Sequence, residues 1–480
     1  MNKIKILIIF VAIGIFSTSC GDEFLNPVPT SSVVASDFFS SDAELLSGIY
    51  SIYDAIQGVN ENTQTNWGNV NRGVQFEYLV TEMRTDNTRS ETTEGSKADF
   101  HRYLVDDNNI EVEDYYASMY EIIFRANTVL SFIDVADPDN VALYTGEAKF
   151  LRAYAYFNLI RLFGDVPLVT STIIPGDESA YNRIPVATVY EQIISDLQDA
   201  VSSLPVLNST SSAPQSRASK DAANGLLAKA LLSQPTPDYL GAQQACFDII
   251  NSNRFSLMTN FNDVFYSERN NELLFIVEYL PANAEESQSF SSEFTFSVGR
   301  QDGLNIPEPN LLAAFEANGG DRTQFSIVTN GGDSECAKFF PDGFDESEDY
   351  GPNSRTAGND WIVLRFADIL LLHAEAIMAG AQTTSSADAL ESVNKVRTRA
   401  GLDNIAGELN AAQLLLERRV ELAFENHRLY DLQRFGVASQ VISAYANDSN
   451  YDFNINQLLL PIPAREINLS RGIMSQNPGY

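Results

Sequence analysis

Apolar residues return at three- and four-residue spacing in six stretches ahead of residue 254, and this period limits the fold more than any other feature of the chain. The stretches run from Ser41 to Gln57, Val112 to Val135, Tyr144 to Phe163, Val186 to Leu204, Ser219 to Ser233 and Tyr239 to Ile250. Amphipathic helices must hide their apolar stripes, so consecutive segments are expected to pack on one another. The clearest is GEAKFLRAYAYFNLIRLFGDVPL, in which Leu151, Tyr154, Ala155, Leu159 and Leu162 make one face while Glu147, Arg152 and Arg161 lie largely off it. Gly164 is placed to cap that helix in a left-handed conformation, and Pro167 prevents its resumption. Ala148, Ala153 and Ala155 among Tyr and Phe side chains permit close helix crossing.

Interlocking of small and large residues along paired helices resembles tetratricopeptide-type repeats in a degenerate form, without their regular period. From about Arg254 to Asp360 the helical pattern stops. NELLFIVEYL (271–280) and SSEFTFSVG (291–299) read as short strands, and the Gly-, Asp- and Ser-rich run that follows reads as an ordered, loop-rich face. Helical signal returns over 361–380, 387–402 and 411–436, and 458–480 is an irregular, Pro-containing tail. The expected class is mainly α: a scaffold of helix pairs with a loop-rich portion containing a few short strands. The expected organisation is a leader (1–19), a tether (20–40), a helical region (41–253), the loop-rich region (254–360) and a second helical region (361–480) packed on the first as one globular unit.

The leader follows from Lys3 and Lys5, the apolar run Ile6 to Phe16, and Ser17-Thr18-Ser19 directly before Cys20. That is the layout of an export signal, and its apolar run is too short to span a bilayer. Cys20 at the cleavage point is the expected lipidation site, although Ser17 stands where such signals usually carry Leu. With 31 Lys+Arg against 64 Asp+Glu the net charge is −33. Such a surface repels phosphate, so nucleic acid is excluded as a partner. Cys246 and Cys336 are too few for a disulfide framework, though one bridge between them is open. His101, His373 and His427 stand apart, with no CxxC or HExxH, so neither a metal nor a cofactor is expected.

Five segments, in order, resemble the SusD/RagB family of surface lipoproteins from Bacteroidetes: FLRAYAYFNLIRLFGDVPL (150–168), WIVLRFADILLLHAEAIM (361–378), ALESVNKVRTRAGL (389–402), ERRVELAFENHRLYDLQRFG (417–436), and LLPIPAREI with QNPGY at the end. Gly-Asp-Glu after Cys20 is similar to the signal that sends such lipoproteins to the outer face of the outer membrane. The resemblance implies a SusD-like fold. It also implies a non-catalytic role, in which oligosaccharide is captured at the cell surface and passed to a SusC-type TonB-dependent transporter. A peptide or other nutrient as the cargo is the alternative, and a surface glycoside hydrolase is a third reading.

Sugar recognition needs an aromatic ring to lie on the C–H face of a ring, with amides, carboxylates or guanidinium groups for the hydroxyls. TNWGNVNRG and TEMRTDNTRSE offer that mix in Trp67, Asn71, Arg72, Asp86, Asn87 and Arg89; the irregular region adds Phe340, Phe344 and Tyr350. Trp361 is a further candidate, although it leads directly into an apolar run, which makes core packing the stronger reading. Arg72, Arg84 and Arg89 are the only local concentration of cations, which favours a neutral glycan. Hydrolysis would need two carboxylates across a cleft. Glu417, Glu421 and Glu425 recur at four-residue spacing, but Arg418 and Arg428 beside them read as partners in ion pairs along one helix. Asp368 and Glu375 with Arg365, and Glu147 with Arg152, read the same way, and His373 reads as a packed imidazole.

Overall fold

The computed structural model describes residues 38–480 apart from 61–70, 93–94, 174–175, 208–213, 284, 298–302, 331 and 341–354. Among the described residues six long helices fill the N-terminal half: α1 (Asp42–Gln57), α2 (Ile110–Ser131), α3 (Val141–Phe163), α4 (Val186–Ser203), α5 (Lys220–Ser233) and α6 (Tyr239–Asn251). Side-chain caps set several of their starts. Ser41 accepts from the Glu44 amide, Asn109 from the Glu111 and Val112 amides, Ser219 from the Ala222 amide and Asp238 from the Gly241 amide. Asn109 thus starts α2 two residues before the apolar period does. Gly164 ends α3 at φ +72°, as its position requires, and the strand pair Val166–Pro167 with Arg183–Ile184 leads the chain into α4.

Each helix packs on the next in the chain, α1 through α6, and α6 then packs on α8 (Phe366–Met378), which packs on α9 (Ala387–Arg399). The remaining long elements are α7 (Pro309–Asn318), α10 (Ala411–Glu421), α11 (Arg428–Arg434) and α12 (Ala438–Asp448). One continuous apolar core runs from Leu45 to Met474. The fold is mainly helical with few short strands. Among the described residues no helix is long and apolar enough to cross a membrane.

Four expectations need correction. The first concerns α3, which is buried almost all round rather than on one face: it is covered by α2 and α4, and Phe150 meets Phe275 edge-on at 5.0 Å. Glu147 and Arg152 are consequently buried, each paired off-helix rather than with the other, Glu147 with Arg217 (2.6 Å) and Arg152 with Asp196 (2.8 Å). Second, Trp361–Arg365 is a strand, β4, antiparallel to β1 (Leu273–Val277); between them in the chain lies the hairpin of β2 (Ile327–Asn330) and β3 (Asp333–Cys336). A short apolar run reads alike as strand or helix, and only the partner strand decides. Third, Phe290–Glu293 is a helical turn, not a strand. Fourth, 411–436 is not one helix. It breaks after Glu421, where Phe424 (φ +67°) and Asn426 (φ +64°) take left-handed conformations. Cys246 and Cys336 are both buried and free.

Candidate functional site

Several irregular stretches meet on one face. Asn60 Nδ2 donates to Ser287 Oγ and to the Arg355 carbonyl, each at 2.9 Å, while the Val59 backbone amide donates to the Asn71 carbonyl at 2.8 Å. Gln288 and Ala357 exchange backbone hydrogen bonds, and Asn359 Nδ2 donates to the Phe340 carbonyl. Thr88–Arg89 pairs with Ile306–Pro307, and the Glu91 amide donates to the Gly303 carbonyl. Residues 59–60, 71–72, 88–91, 286–297, 303–307, 340 and 355–359 therefore form a joined platform. Its floor is polar yet buried: Ser287, Gln288, Ser289, Ser291, Ser292 and Glu293 are fully covered. Glu293 receives Lys97 at 2.9 Å and the Tyr78 hydroxyl. The hydroxyl-rich run QSFSSE (288–293) is the sequence signal for this floor, and only its last three residues fell within the segment expected to be a strand.

The structure divides the sequence candidates into three groups. Trp67, Phe344, Tyr350 and Cys20 lie outside the described residues. Asn71, Arg89 and Phe340 sit on the platform, each half-buried. Asn71 shapes the turn by donating to the Ala55 carbonyl and accepting from the Gly73 amide. Arg89 is held by Glu91 at 2.6 Å and Glu308 at 3.7 Å.

Arg72, Asp86 and Asn87 are spent inside the fold, which corrects the expectation that they face a ligand, and Trp361 packs in the core, as the apolar run it opens favoured. Arg72 pairs with Asp114 at 3.1 Å and lies over Phe76. Asp86 is clamped by Arg428 (2.9 Å) and Arg419 (3.0 Å); burial pushes its carboxyl up, but the two guanidinium groups hold it below its ordinary value. Asn87 bridges Glu82 and Arg419. Trp361 stacks on Phe339 at 5.1 Å and meets Phe290 edge-on.

Arg418 and Arg428 do not pair along the helix as their spacing suggested: Arg418 reaches Asp368 and Asp431, and Arg428 reaches Asp86. Glu417, Glu421 and Glu425, with Glu272, instead enter a buried network. Arg322 bridges Glu417 and Glu421 at 2.7 Å each; Arg365 joins Glu272 (2.9 Å), Glu421 (2.6 Å) and Glu425 (2.6 Å); Lys338 takes Glu425 at 2.7 Å. Arg397 and Arg399 complete it. Burial raises the Glu421 carboxyl, yet the surrounding arginines hold it well below its ordinary range. Glu375 pairs with Arg434, not Arg365, and Asp368 with Lys229 and Arg418. His373 is packed and bonded to Ser392 at 2.9 Å.

A mainly helical scaffold of serially packed helix pairs, carrying one irregular polar platform, defines the class of this protein. The SusD family model matches residues 329–480, and a SusD-like model described as starch-binding associating with outer membrane matches 23–232. The chain belongs to the SusD/RagB family. It is 27% identical to SusD-like protein P2 of Formosa agariphila over 100% of both chains, and 24% identical to a SusD-like protein of Bacteroides ovatus over 90% of this chain and 82% of that one. Solved structures share the fold. These include a laminarin binding SusD-like protein (24% identity, TM-score 0.75, covering 92% of this chain and 100% of that one) and surface glycan-binding protein A from Bacteroides fluxus (23%, 0.78, 92% and 100%). Surface glycan-binding protein A from Bacteroides thetaiotaomicron in complex with laminarihexaose is a third (19%, 0.76, 91% and 99%).

Proposed function

We propose that this protein is a non-catalytic glycan-binding lipoprotein of the cell surface, which captures oligosaccharide on the irregular platform and passes it to a SusC-type TonB-dependent transporter of the outer membrane. Membership of the SusD/RagB family carries this reading, supported by fold relatives described as laminarin binding or solved with laminarihexaose. Trp67 and Tyr350 supply stacking rings, and Asn71, Arg89 and Phe340 supply further contacts. Arg72, Asp86, Asn87 and Trp361 act from beneath as supports. The cargo is a neutral glycan, a reading supported by the pairing of Arg72, Arg89 and Lys97 with protein carboxylates, which lowers their capacity to bind an anion. The α10 carboxylates support a non-catalytic role, because they are buried and matched to arginines rather than set across a cleft. Lipid on Cys20 holds the body at the membrane, and the 20–40 tether gives it reach.

Affinity electrophoresis against a panel of neutral and acidic polysaccharides tests the reading. Retardation by a neutral glycan, lost in Trp67→Ala, is expected. Failure of the folded protein to bind any glycan, or capture of peptide instead, counts against it. Copurification of a barrel transporter from detergent-solubilised membranes, and release of the protein from membranes by Cys20→Ala, test the partner and the anchor.

A further inference from the structure

Where the N-terminal helices meet the C-terminal region, a narrow cleft of about 40 Å³ lies between α3, α5, β4 and the turn that follows α10. Four side-chain atoms on its wall are buried without a hydrogen bond of full geometry from the protein: Asn426 Oδ1 and Nδ2, Tyr430 Oη and Asn158 Nδ2; Asn426 approaches Glu77 and Asn158 approaches Tyr154 without completing one, and Tyr430 Oη has no such neighbour. These residues are 5%, 5% and 0% exposed. Burying such groups dry costs free energy comparable to a lost hydrogen bond for each, and native interiors rarely tolerate a cluster of them.

The backbone supplies an independent observation. Within three residues, Phe424 and Asn426 both hold positive φ, at 67° and 64°. A bulky residue in that region is a conformational outlier, and strain of this kind persists where the surroundings demand a particular side-chain placement. Here the turn carries Asn426 onto the cleft wall.

The charges around the cleft choose the occupant. Lys229 is matched by Asp368 at 2.8 Å, Arg434 by Glu375 and Asp431, and Glu425 by Arg365 and Lys338. His427 is neutral, because burial pushes its imidazole down to about 3. That leaves one cation, Arg161, held between the rings of Phe157 (3.7 Å) and Tyr430 (3.5 Å), and one carboxylate, Glu77. A cleft with balanced charge selects neither anion nor cation, and mixed donors and acceptors suit water.

We propose that ordered waters fill this cleft and bridge Asn158 of α3 to Asn426 and Tyr430, forming a hydrated clasp between the two helical regions. At roughly 10–15 Å³ per water the space holds about three molecules.

Tyr430→Phe keeps the ring over Arg161 and removes only the hydroxyl. A hydrated clasp predicts a Tm lowered by roughly 1 °C, the scale of one lost hydrogen bond in a chain this long. In a dry cleft the same change deletes an orphaned hydroxyl, so an unchanged or higher Tm overturns the proposal. A crystal structure at near-atomic resolution, with a second crystal soaked in bromide, gives an independent reading. Water density within hydrogen-bond reach of Asn426, Tyr430 and Asn158 is expected. A dry cleft or an anomalous bromide peak there overturns it.

Discussion

The N-terminal helix array and the C-terminal region solve the burial problem in opposite ways. From α2 to α5 the interior is aliphatic and aromatic, with single ion pairs such as Arg152–Asp196 joining neighbouring helices. Around α10, Arg322, Lys338, Arg365, Arg397 and Arg399 enclose Glu272, Glu417, Glu421 and Glu425, most of them buried. Apolar packing degrades gracefully, because neighbours can partly close a gap. A shared buried charge has no such latitude, since removing one member strands several partners at once.

Arg365→Met should therefore have the largest effect. It leaves Glu272, Glu421 and Glu425 without the cation they share, a loss of about 3–5 kcal/mol, read from the urea unfolding midpoint or from failure to fold. Leu159→Ala in α3 removes a fully buried side chain and should cost about 2–5 kcal/mol in the same assay, at the lower end where neighbouring side chains close part of the gap. A loss from Leu159→Ala exceeding that from Arg365→Met would reverse the comparison.

Acidity separates the edge of the platform from the network by sign. Asp360, beside the platform, has its carboxyl pushed up to about 7 by burial, reinforced by Glu278 and Glu268. Between its ordinary value of 3.8 and that value the folded state keeps a proton the unfolded chain has lost, so its contribution falls as pH rises from about 4 to about 7. Asp360→Asn retains an acceptor for the Tyr279 amide and should flatten that limb, with Tm gained at pH 8 more than at pH 5. Glu421 and Glu425 are held below their ordinary 4.5, so their contribution is present above that pH and lost as pH falls through their depressed values; the acid limb should survive in Asp360→Asn. The smallest change is expected from Lys395→Ala, which breaks the exposed Lys395–Glu391 pair and should cost at most about 0.5 kcal/mol in the unfolding assay.

The same contrast explains what could be read without coordinates. The array was legible because local period and local caps define it: the positions of α1 to α6 follow from apolar spacing to within a few residues. The C-terminal network was legible only as a set of charged residues. Spacing suggested pairs along one helix, whereas Arg322, Arg365 and Arg399 come from elsewhere in the chain and the helix breaks at Leu422. At the platform, residue type marked Asn71, Arg89 and Phe340. It could not show that Asp86 faces inward, because that depends on Arg428 and Arg419, distant in sequence, whereas the apolar run after Trp361 already favoured its place in the core against Phe339.

Hydrogen exchange on the folded protein, with and without a neutral glycan identified by affinity electrophoresis, tests the functional claim most directly. Protection is predicted at 71–72, 88–91, 286–297, 303–307 and 355–359, with no change in α10 or the network beneath it. Glycan binding with no protection on the platform, or protection centred on another face, would contradict the account.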